Sequence, residues 1–183
     1  MNKFIQGFLI FTIAILVITF QTADVNAAPS NERTIEQKVG KEIRRMPYYG
    51  VFDIISFEVD GSTVILSGQV YNATNKKSAE KRVRKIEGVE NVVNNIEILP
   101  FSRFDKVIRR RSVRTFYRNG NHYRYVQGKN PSVRIIVKRG HVTLEGYVRS
   151  KGDSRFAKIL AGGVFGTFSV TNNLIVTKEN IKF

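Results

Sequence analysis

The chain is poor in the residue types that most often carry chemistry. Its 183 residues include no cysteine, no tryptophan and only two histidines, His122 and His141. Without cysteine the chain can form no disulfide framework, no thiol nucleophile and no zinc–thiolate site, and it cannot carry the lipid-modified cysteine of a bacterial lipoprotein. No acidic residues are spaced around the histidines as metal partners, so we expect exposed histidine rings and no metal site.

Catalytic patterns are lacking as well. The sequence holds no serine–histidine–aspartate order, no glycine-rich phosphate loop and no close pair of carboxylates in an apolar stretch. The glycines of residues 162–166 match such a loop only weakly, and they suit a flexible helix end better. We therefore predict no catalytic residue, no cofactor and a protein that is not an enzyme.

Negative charge is scarce, and the shortage is uneven along the chain. The formal charge is +15 at pH 7, from 30 lysines and arginines against 15 aspartates and glutamates. Residues 33–100 carry a net charge of +2, whereas residues 101–183 carry +14. Such a chain favours an anionic partner, whether nucleic acid, acidic lipid or an acidic polymer. The cellular compartment decides among these partners.

The N-terminus has the pattern of a secretory signal peptide. Lys3 precedes an uncharged run, Phe8–Phe20, and small residues flank a cleavage site after Ala27. The run is too short to span a bilayer as a helix, but it lengthens when counted from Phe4, so an uncleaved anchor stays open. We expect residues 1–27 to be removed and the mature chain to be periplasmic, which argues against nucleic acid as the physiological partner.

Two copies of one pattern lie 78 positions apart. The stretch Val64–Val70 reads V-I-L-S-G-Q-V, and Val142–Val148 reads V-T-L-E-G-Y-V. Apolar residues alternate with others in both, which is typical of a strand with one buried face. The same offset relates further apolar residues, glycines and asparagines of the two halves. The chain is therefore predicted to contain one module twice, in residues 33–100 and 101–180.

The pattern of the first module predicts the element order α-β-β-α-β. A capping pattern at Thr34 begins a helix that ends before Pro47. The further predicted elements are a hairpin with strands 54–59 and 64–70 around Asp60-Gly61, a helix over 75–86 and a strand over 92–99. Only one face of the sheet is apolar, so we expect both helices on that face of a three-stranded mixed sheet. The predicted fold class is α+β.

The motif V-x-L-x-G-x-V, followed by a helix and by G-V-x-x-V-x-N-x-I-x-I, resembles the BON domain, a bacterial module named for osmotically inducible and nodulation proteins. The second copy departs from the family at Thr167, where valine is usual. Two such domains behind a signal peptide are similar to osmotically inducible periplasmic proteins and to two-domain outer-membrane lipoproteins. The resemblance implies a protein of envelope maintenance or osmotic stress. It leaves open a chaperone or adaptor that binds envelope proteins.

The resemblance implies structural roles for the motif residues. The strand glycines are expected to allow close backbone approach or a bend, and the glycine after the helix suits a left-handed conformation. The asparagines are expected to hydrogen-bond loop backbone near the start of the last strand. These structural positions are Gly68, Gly88, Asn94, Gly146, Gly166 and Asn172.

The second module begins with a more basic segment. Its spacing from Phe104 to Val133 is nine residues longer than the matching spacing in the first module, and the insertion falls within residues 116–131. A basic helix next to a loop rich in arginine and tyrosine suits an anionic membrane surface, because cations bind the headgroups and tyrosine favours the headgroup zone. The candidate lipid-binding residues are Arg103, Arg109, Arg110, Arg111, Arg114, Tyr117, Tyr123 and Tyr125.

Other interpretations of this basic region stay open. Its partner can be another anionic polymer of the envelope, such as peptidoglycan, instead of phospholipid. The arginines and tyrosines can also form an interface between the modules or with another protein, or simply a solvated face. The favoured hypothesis is a periplasmic protein, peripheral on a membrane, that docks on anionic phospholipid.

Overall fold

The computed structural model describes residues 34–177. The predicted signal peptide, residues 1–27, lies outside these residues. Within the described part of the chain, no helix is both long enough and apolar enough to cross a membrane.

Both modules have the predicted order of helices and strands. The elements of the first module are α1 (Ile35–Arg44), β1 (Ile54–Asp60), β2 (Thr63–Val70), α2 (Ala73–Val83), β3 (Asn91–Asn94) and β4 (Glu97–Ile98). Those of the second module are α3 (Arg103–Arg118), a 3₁₀ turn (Gly120–His122), α4 (Tyr123–Val126), β5 (Val133–Lys138), β6 (His141–Val148), α5 (Lys151–Gly162) and β7 (Ser169–Val176). The insertion predicted as a loop is therefore largely helical.

Each module contains one mixed sheet, as predicted for the α+β class. In the first, β2 pairs antiparallel with β1 and parallel with both β3 and β4. In the second, β6 pairs antiparallel with β5 and parallel with β7. Because β3 and β4 both pair with β2, they form one edge strand with an interruption between them.

The interruption changes which side chains of this edge strand face the core. The side-chain oxygen of Asn94 accepts a hydrogen bond of 3.3 Å from the backbone N–H of Ile96. Beyond this local turn the alternation shifts, so that Leu99 is buried and Ile98 is 45% exposed. A continuous strand over 92–99 would place Ile98 on the inner face, so the prediction was wrong here.

Side-chain caps fix where the helices begin. The hydroxyl of Thr34 accepts from the backbone N–H of Gln37 at 3.4 Å, as the capping pattern predicts. Asn72 caps α2, which begins and ends two to three residues earlier than predicted. Ser102 and Ser150 cap α3 and α5 in the same way as Thr34.

The two helices of each module cover the same face of its sheet. In the first module Val39 of α1 and Ala79 of α2 join Leu66 of β2 in one buried cluster. In the second module Ile108 of α3 and Ala157 of α5 join the residues of β6 in another. Two separate cores therefore form, one for each module.

The first module also contributes to the second core through the segment that precedes β1. Val51 and Phe52 pack against the second cluster, and the carbonyl of Val51 accepts a 2.7 Å hydrogen bond from the backbone N–H of Ile135. As a result β5 is buried on both faces, including Arg134 and Ile136. The simple alternation of buried and exposed positions does not hold for β5.

Candidate anionic-surface interface on the second module

The helix α3 has one buried and one exposed side. It has 16 residues and is therefore about 24 Å long. The buried side holds two apolar residues, Ile108 and Phe116, together with the polar residues Asp105, Arg109 and Ser112. Every other cation of the helix lies on the exposed side.

We call this exposed row of cations the cationic ridge. Its six members are Arg103, Lys106, Arg110, Arg111, Arg114 and Arg118. The sequence of α3 contains a single acidic residue, Asp105, and its carboxylate is buried. That carboxylate accepts hydrogen bonds from the backbone N–H groups of Arg139 at 2.9 Å and Gly140 at 2.8 Å. No acid on the helix therefore neutralises the ridge.

The ridge side chains are nearly free of partners among residues 34–177. None of the six forms an ion pair within that range. Arg111 donates to the backbone carbonyl of Phe165 at 3.2 Å, and its guanidinium lies 5.4 Å from the ring centroid of that residue. The ridge therefore presents a row of uncompensated positive charges to any anion that approaches it.

Arg109 was predicted to bind lipid, and the structure corrects this. It is only 2% exposed, and it donates a hydrogen bond to the backbone carbonyl of Val137. Its guanidinium carbon lies 4.6 Å from the ring centroid of Tyr71 in the first module. Burial lowers the pKa of Arg109, an effect that the charge of Asp105 opposes. Arg109 contacts the other module, so the candidate lipid-binding set no longer includes it.

Tyr125 requires the same correction. It lies 2% exposed in the second core, where its hydroxyl accepts a 3.2 Å hydrogen bond from the backbone N–H of Arg149. Tyr117 and Tyr123 are exposed at the end of α3 and the beginning of α4. Of the three predicted tyrosines, these two alone can reach a surface outside the protein.

His122 also departs from expectation, because it is neither exposed nor isolated. Its Nε2 lies 3.6 Å from a carboxylate oxygen of Asp153 at the start of α5. Burial acts to raise the pKa of Asp153. Hydrogen bonds from Ser150 and Tyr125 and the charges of His122 and Arg124 act in the opposite direction and outweigh burial, so the pKa is lowered. Asp153 thus fastens the inserted segment to α5. Within residues 34–177 no group of three or more acidic or histidine side chains could hold a metal ion.

A second buried arginine joins the modules, and sequence reasoning did not find it. Arg134 of β5 donates to the carbonyl of Gly50 at 2.6 Å and lies 4.3 Å from the ring centroid of Tyr49. Burial raises the pKa of the nearby Asp53, although this carboxylate accepts hydrogen bonds from backbone N–H groups at Gly50 and Tyr71. The only sequence signal is an arginine inside a strongly apolar strand.

The motif glycines lie at positions where a side chain would crowd neighbouring backbone or side-chain atoms. A Cβ on Gly68 would lie 2.3 Å from the carbonyl oxygen of Ile54, and one on Gly146 would lie 1.9 Å from that of Ser132. Their φ angles of 111° and 108° are ones that other residues rarely adopt. The two glycines that follow α2 and α5, Gly88 and Gly166, also have positive φ angles.

The motif asparagines bind backbone near the last strand and, beyond what was predicted, also the second helix of their module. The side-chain oxygens of Asn94 and Asn172 accept hydrogen bonds of 3.3 Å from the backbone N–H groups of Ile96 and Leu174. Asn94 donates to the backbone carbonyl of Lys76 in α2 at 3.0 Å. Asn172 donates to the carbonyl of Ser154 in α5 at 3.1 Å and to the hydroxyl of the same residue at 3.0 Å. In each module this side chain therefore fixes the last strand to the second helix.

The comparison with protein families decides the identity of the fold. The model of the BON domain matches residues 31–100 and 121–178, together more than half of the chain. The chain belongs to the BON-domain family. Domains of this family are associated with phospholipid binding and with envelope and osmotic-stress proteins, and they are generally non-enzymatic. The second BON match begins after α3, so the helix that carries the cationic ridge lies outside it.

Comparison with solved structures adds little. The chain is similar to the C-terminal domain of CdsD, the structural protein of the type III secretion system of Chlamydia trachomatis, with 11% identity and a TM-score of 0.31 over 80% of this chain and 99% of that chain. Another structure of CdsD shares 12% identity, with a TM-score of 0.27 over 78% and 92% of the two chains. Such low TM-scores carry no argument about function. No curated protein matches the chain.

Proposed function

We propose that this tandem BON-domain protein is an exported, non-enzymatic protein of envelope maintenance or osmotic stress, peripheral on a membrane. Its second module docks on anionic phospholipid through the cationic ridge. The observation that supports this best is the row of six exposed cations on α3, without an ion pair among the described residues. Tyr117 and Tyr123 are exposed near the C-terminal end of the ridge, and tyrosine favours the headgroup zone.

The size of the electrostatic attraction fits a reversible peripheral contact. Each lysine or arginine near an anionic membrane surface contributes about 1 kcal/mol. Six ridge cations would then contribute roughly 6 kcal/mol, which corresponds to a dissociation constant on the order of tens of micromolar. Such binding weakens as salt screens the exposed charges.

The first module provides an internal comparison for the ridge. Gly88 lies against Ile35, and Gly166 lies against Phe104, so the two first helices correspond with an offset of 69 positions. At that offset, five ridge positions correspond to residues of α1 or its two caps, which are Thr34, Gln37, Lys41, Glu42 and Arg45. Glu42 forms an ion pair of 2.9 Å with Arg82 of α2. Only two of these five counterparts are cations, so the fold does not require a continuous row of cations on the first helix, and the second module alone has one.

Vesicle flotation tests the proposal with the mature chain, residues 28–183. We expect binding that increases with the fraction of anionic phospholipid and is absent from purely zwitterionic vesicles. A variant with Arg103, Arg110 and Arg114 changed to glutamate should lose the binding, because it reverses three ridge charges. Arg109 is left intact since its substitution would damage the interface between the modules, and Arg111 is kept for its contact with Phe165.

A matched variant in the first module controls for net charge. Lys77, Lys81 and Lys85 are exposed, and their change to glutamate alters the net charge of the protein by the same amount. We expect this variant to bind as the wild type does. Binding that is indifferent to the anionic lipid content, or an equal loss in both triple variants, would contradict the proposed function.

A surface hollow on the first module favours the chaperone or adaptor role as a second candidate. The hollow has a volume of about 570 Å³, and its lining includes Tyr48, Phe52, Ile98 and Phe101. Exposed aromatic residues around this hollow could bind an apolar segment of another protein. Suppression of client aggregation in the absence of lipid, unchanged by the ridge substitutions, would support this role over membrane docking.

A further inference from the structure

Apolar side chains cluster at one exposed corner of the second module. We call this cluster the aromatic corner; its residues are Phe104 of α3, Ile159 of α5, and Phe165 and Phe168 between α5 and β7. Phe165 is 81% exposed, Phe168 72% and Ile159 66%. Neighbouring large apolar residues with this exposure mark a binding surface more often than isolated ones do.

The fold itself does not require apolar residues at three of these four positions. At the repeat offset of 78 positions, Ile159, Phe165 and Phe168 correspond to Lys81, Glu87 and Glu90 of the first module. All three counterparts are exposed and charged, and the first module forms the same sheet and helices with them. The sequence contains this signal, because the repeat alignment places two glutamates opposite two phenylalanines.

The backbone of the corner is held in place while its side chains extend outward. Arg111 of the cationic ridge donates to the carbonyl of Phe165 and lies over its ring. The backbone N–H of Phe168 donates to the carbonyl of Gly140 at 2.9 Å, and its ring lies 6.0 Å from that of Phe104. The corner is therefore a fixed apolar projection that is continuous with the ridge.

We propose that the aromatic corner inserts into the boundary between headgroups and acyl chains of the bilayer to which the cationic ridge docks. This inference rests on the proposed function and specifies its ligand as a lipid bilayer. An anionic headgroup layer with an apolar layer below it complements a row of cations next to exposed phenylalanine rings. A soluble anionic polymer offers the first of these layers and not the second.

A single-tryptophan reporter tests the insertion directly. The chain contains no tryptophan, so the F165W variant carries one fluorophore at the most exposed position of the corner. Added anionic vesicles should shift its emission to shorter wavelength, and lipids brominated on the acyl chains should quench it. The matched control is E87W, at the corresponding exposed position of the first module, whose emission should not change.

The outcomes separate this inference from the proposed function. If flotation shows F165W bound to anionic vesicles while its emission stays unchanged and unquenched, the insertion is refuted and the docking of the ridge stands. If the wild type binds no anionic vesicles, both fail. A blue shift that appears with an unfolded protein or at high concentration of the chain alone, and not with vesicles, would assign the corner to a client or to a second copy.

A double variant tests the energetic consequence. The double variant with Phe165→Ser and Phe168→Ser should still bind vesicles at low salt. It should lose most of the binding that the wild type retains at about 0.5 M salt, where exposed charges are screened. We expect the apparent affinity in high salt to fall at least about tenfold, because the apolar contribution is insensitive to screening. Equal affinity of wild type and double variant in high salt would overturn the inference.

Discussion

Arg109 of α3 stacks on the ring of Tyr71, the residue that follows β2, with its guanidinium carbon 4.6 Å from the ring centroid. The arginine belongs to the second module and the tyrosine to the first, and the arginine is almost completely buried. Together with Arg134, which lies over Tyr49, this contact fixes the two domains against each other. The orientation of the ridge relative to the first domain thus depends on two buried arginines and the tyrosine rings that they contact.

The stacking predicts an energetic coupling between the two domains. Arg109→Ala should lower the free energy of unfolding by about 2–4 kcal/mol, because it leaves a cavity and an unpaired carbonyl at Val137. A double-mutant cycle with Tyr71→Ala should give a coupling of about 1–2 kcal/mol. The exposed neighbour provides a control, since Arg110→Ala should change stability by less than about 0.5 kcal/mol. Urea unfolding measures each value, and a coupling near zero would show that the stack does not join the domains.

The close backbone approach at the strand glycines predicts a large effect of one methyl group. Gly68→Ala and Gly146→Ala should each lower the free energy of unfolding by more than about 2 kcal/mol, since the new Cβ meets a carbonyl oxygen and the backbone conformation is strained. At Gly152, in the first turn of α5, the nearest atom is 3.5 Å from a new Cβ. Alanine there should be neutral or stabilising by up to about 1 kcal/mol. Thermal unfolding that ranks the three variants otherwise would refute this explanation.

The motif asparagines predict equal roles in both domains. Asn94→Ala and Asn172→Ala should each cost about 1–3 kcal/mol, because each change leaves a helix carbonyl without its side-chain donor. Asn173→Ala removes only an exposed hydrogen bond to Glu145, and its effect should be below about 0.5 kcal/mol. Hydrogen exchange should also show faster exchange in the last strand of the substituted domain. Loss of stability without that local change would argue against a strand-to-helix role.

The lowered pKa of Asp153 predicts how one contact responds to acid. A carboxyl group whose pKa is lower in the folded state than in the unfolded state stabilises the fold at pH values above the unfolded pKa, here 3.8. This contribution disappears as pH falls through the folded pKa. Asp153→Asn should therefore cost about 1 kcal/mol at pH 7 and nothing at a pH below both values. Urea unfolding between pH 2 and pH 7 measures the difference. A cost that does not depend on pH would mean that the charge of Asp153 is not involved.

The sequence contained most of the information on the fold, because the fold follows local patterns. The alternation around Val64–Val70 and Val142–Val148 specified the central strand of each sheet, and Thr34 marked the beginning of α1. The repeat offset then related the rest of the two halves. What the patterns missed was the interruption of the last strand after Asn94, which no periodicity reports. The hydrogen bond between Asn94 and Ile96 does not explain it, because Asn172 accepts the same bond from Leu174 within the continuous strand β7.

The candidate site was less predictable, because burial depends on contacts between distant parts of the chain. Arg109 and Arg110 are adjacent in the sequence and equal in charge, yet one is buried against Tyr71 and the other is exposed. Helical spacing separates the two faces of α3 but does not tell which face meets the first domain. Tyr125 was misassigned for the same reason, since the insertion forms a short helix that turns this ring into the core.

Graded neutralisation of the cationic ridge tests the central claim most directly. Single changes of Arg103, Arg110 or Arg114 to glutamine should each weaken the affinity for anionic vesicles about fivefold, and the three together about a hundredfold, because each cation contributes about 1 kcal/mol. Vesicle co-sedimentation at fixed low salt provides the dissociation constants. The same changes at Lys77, Lys81 and Lys85 of the first domain should leave the affinity unchanged. If the two series weaken binding equally, net charge and not the ridge attracts the lipid, and the account is contradicted.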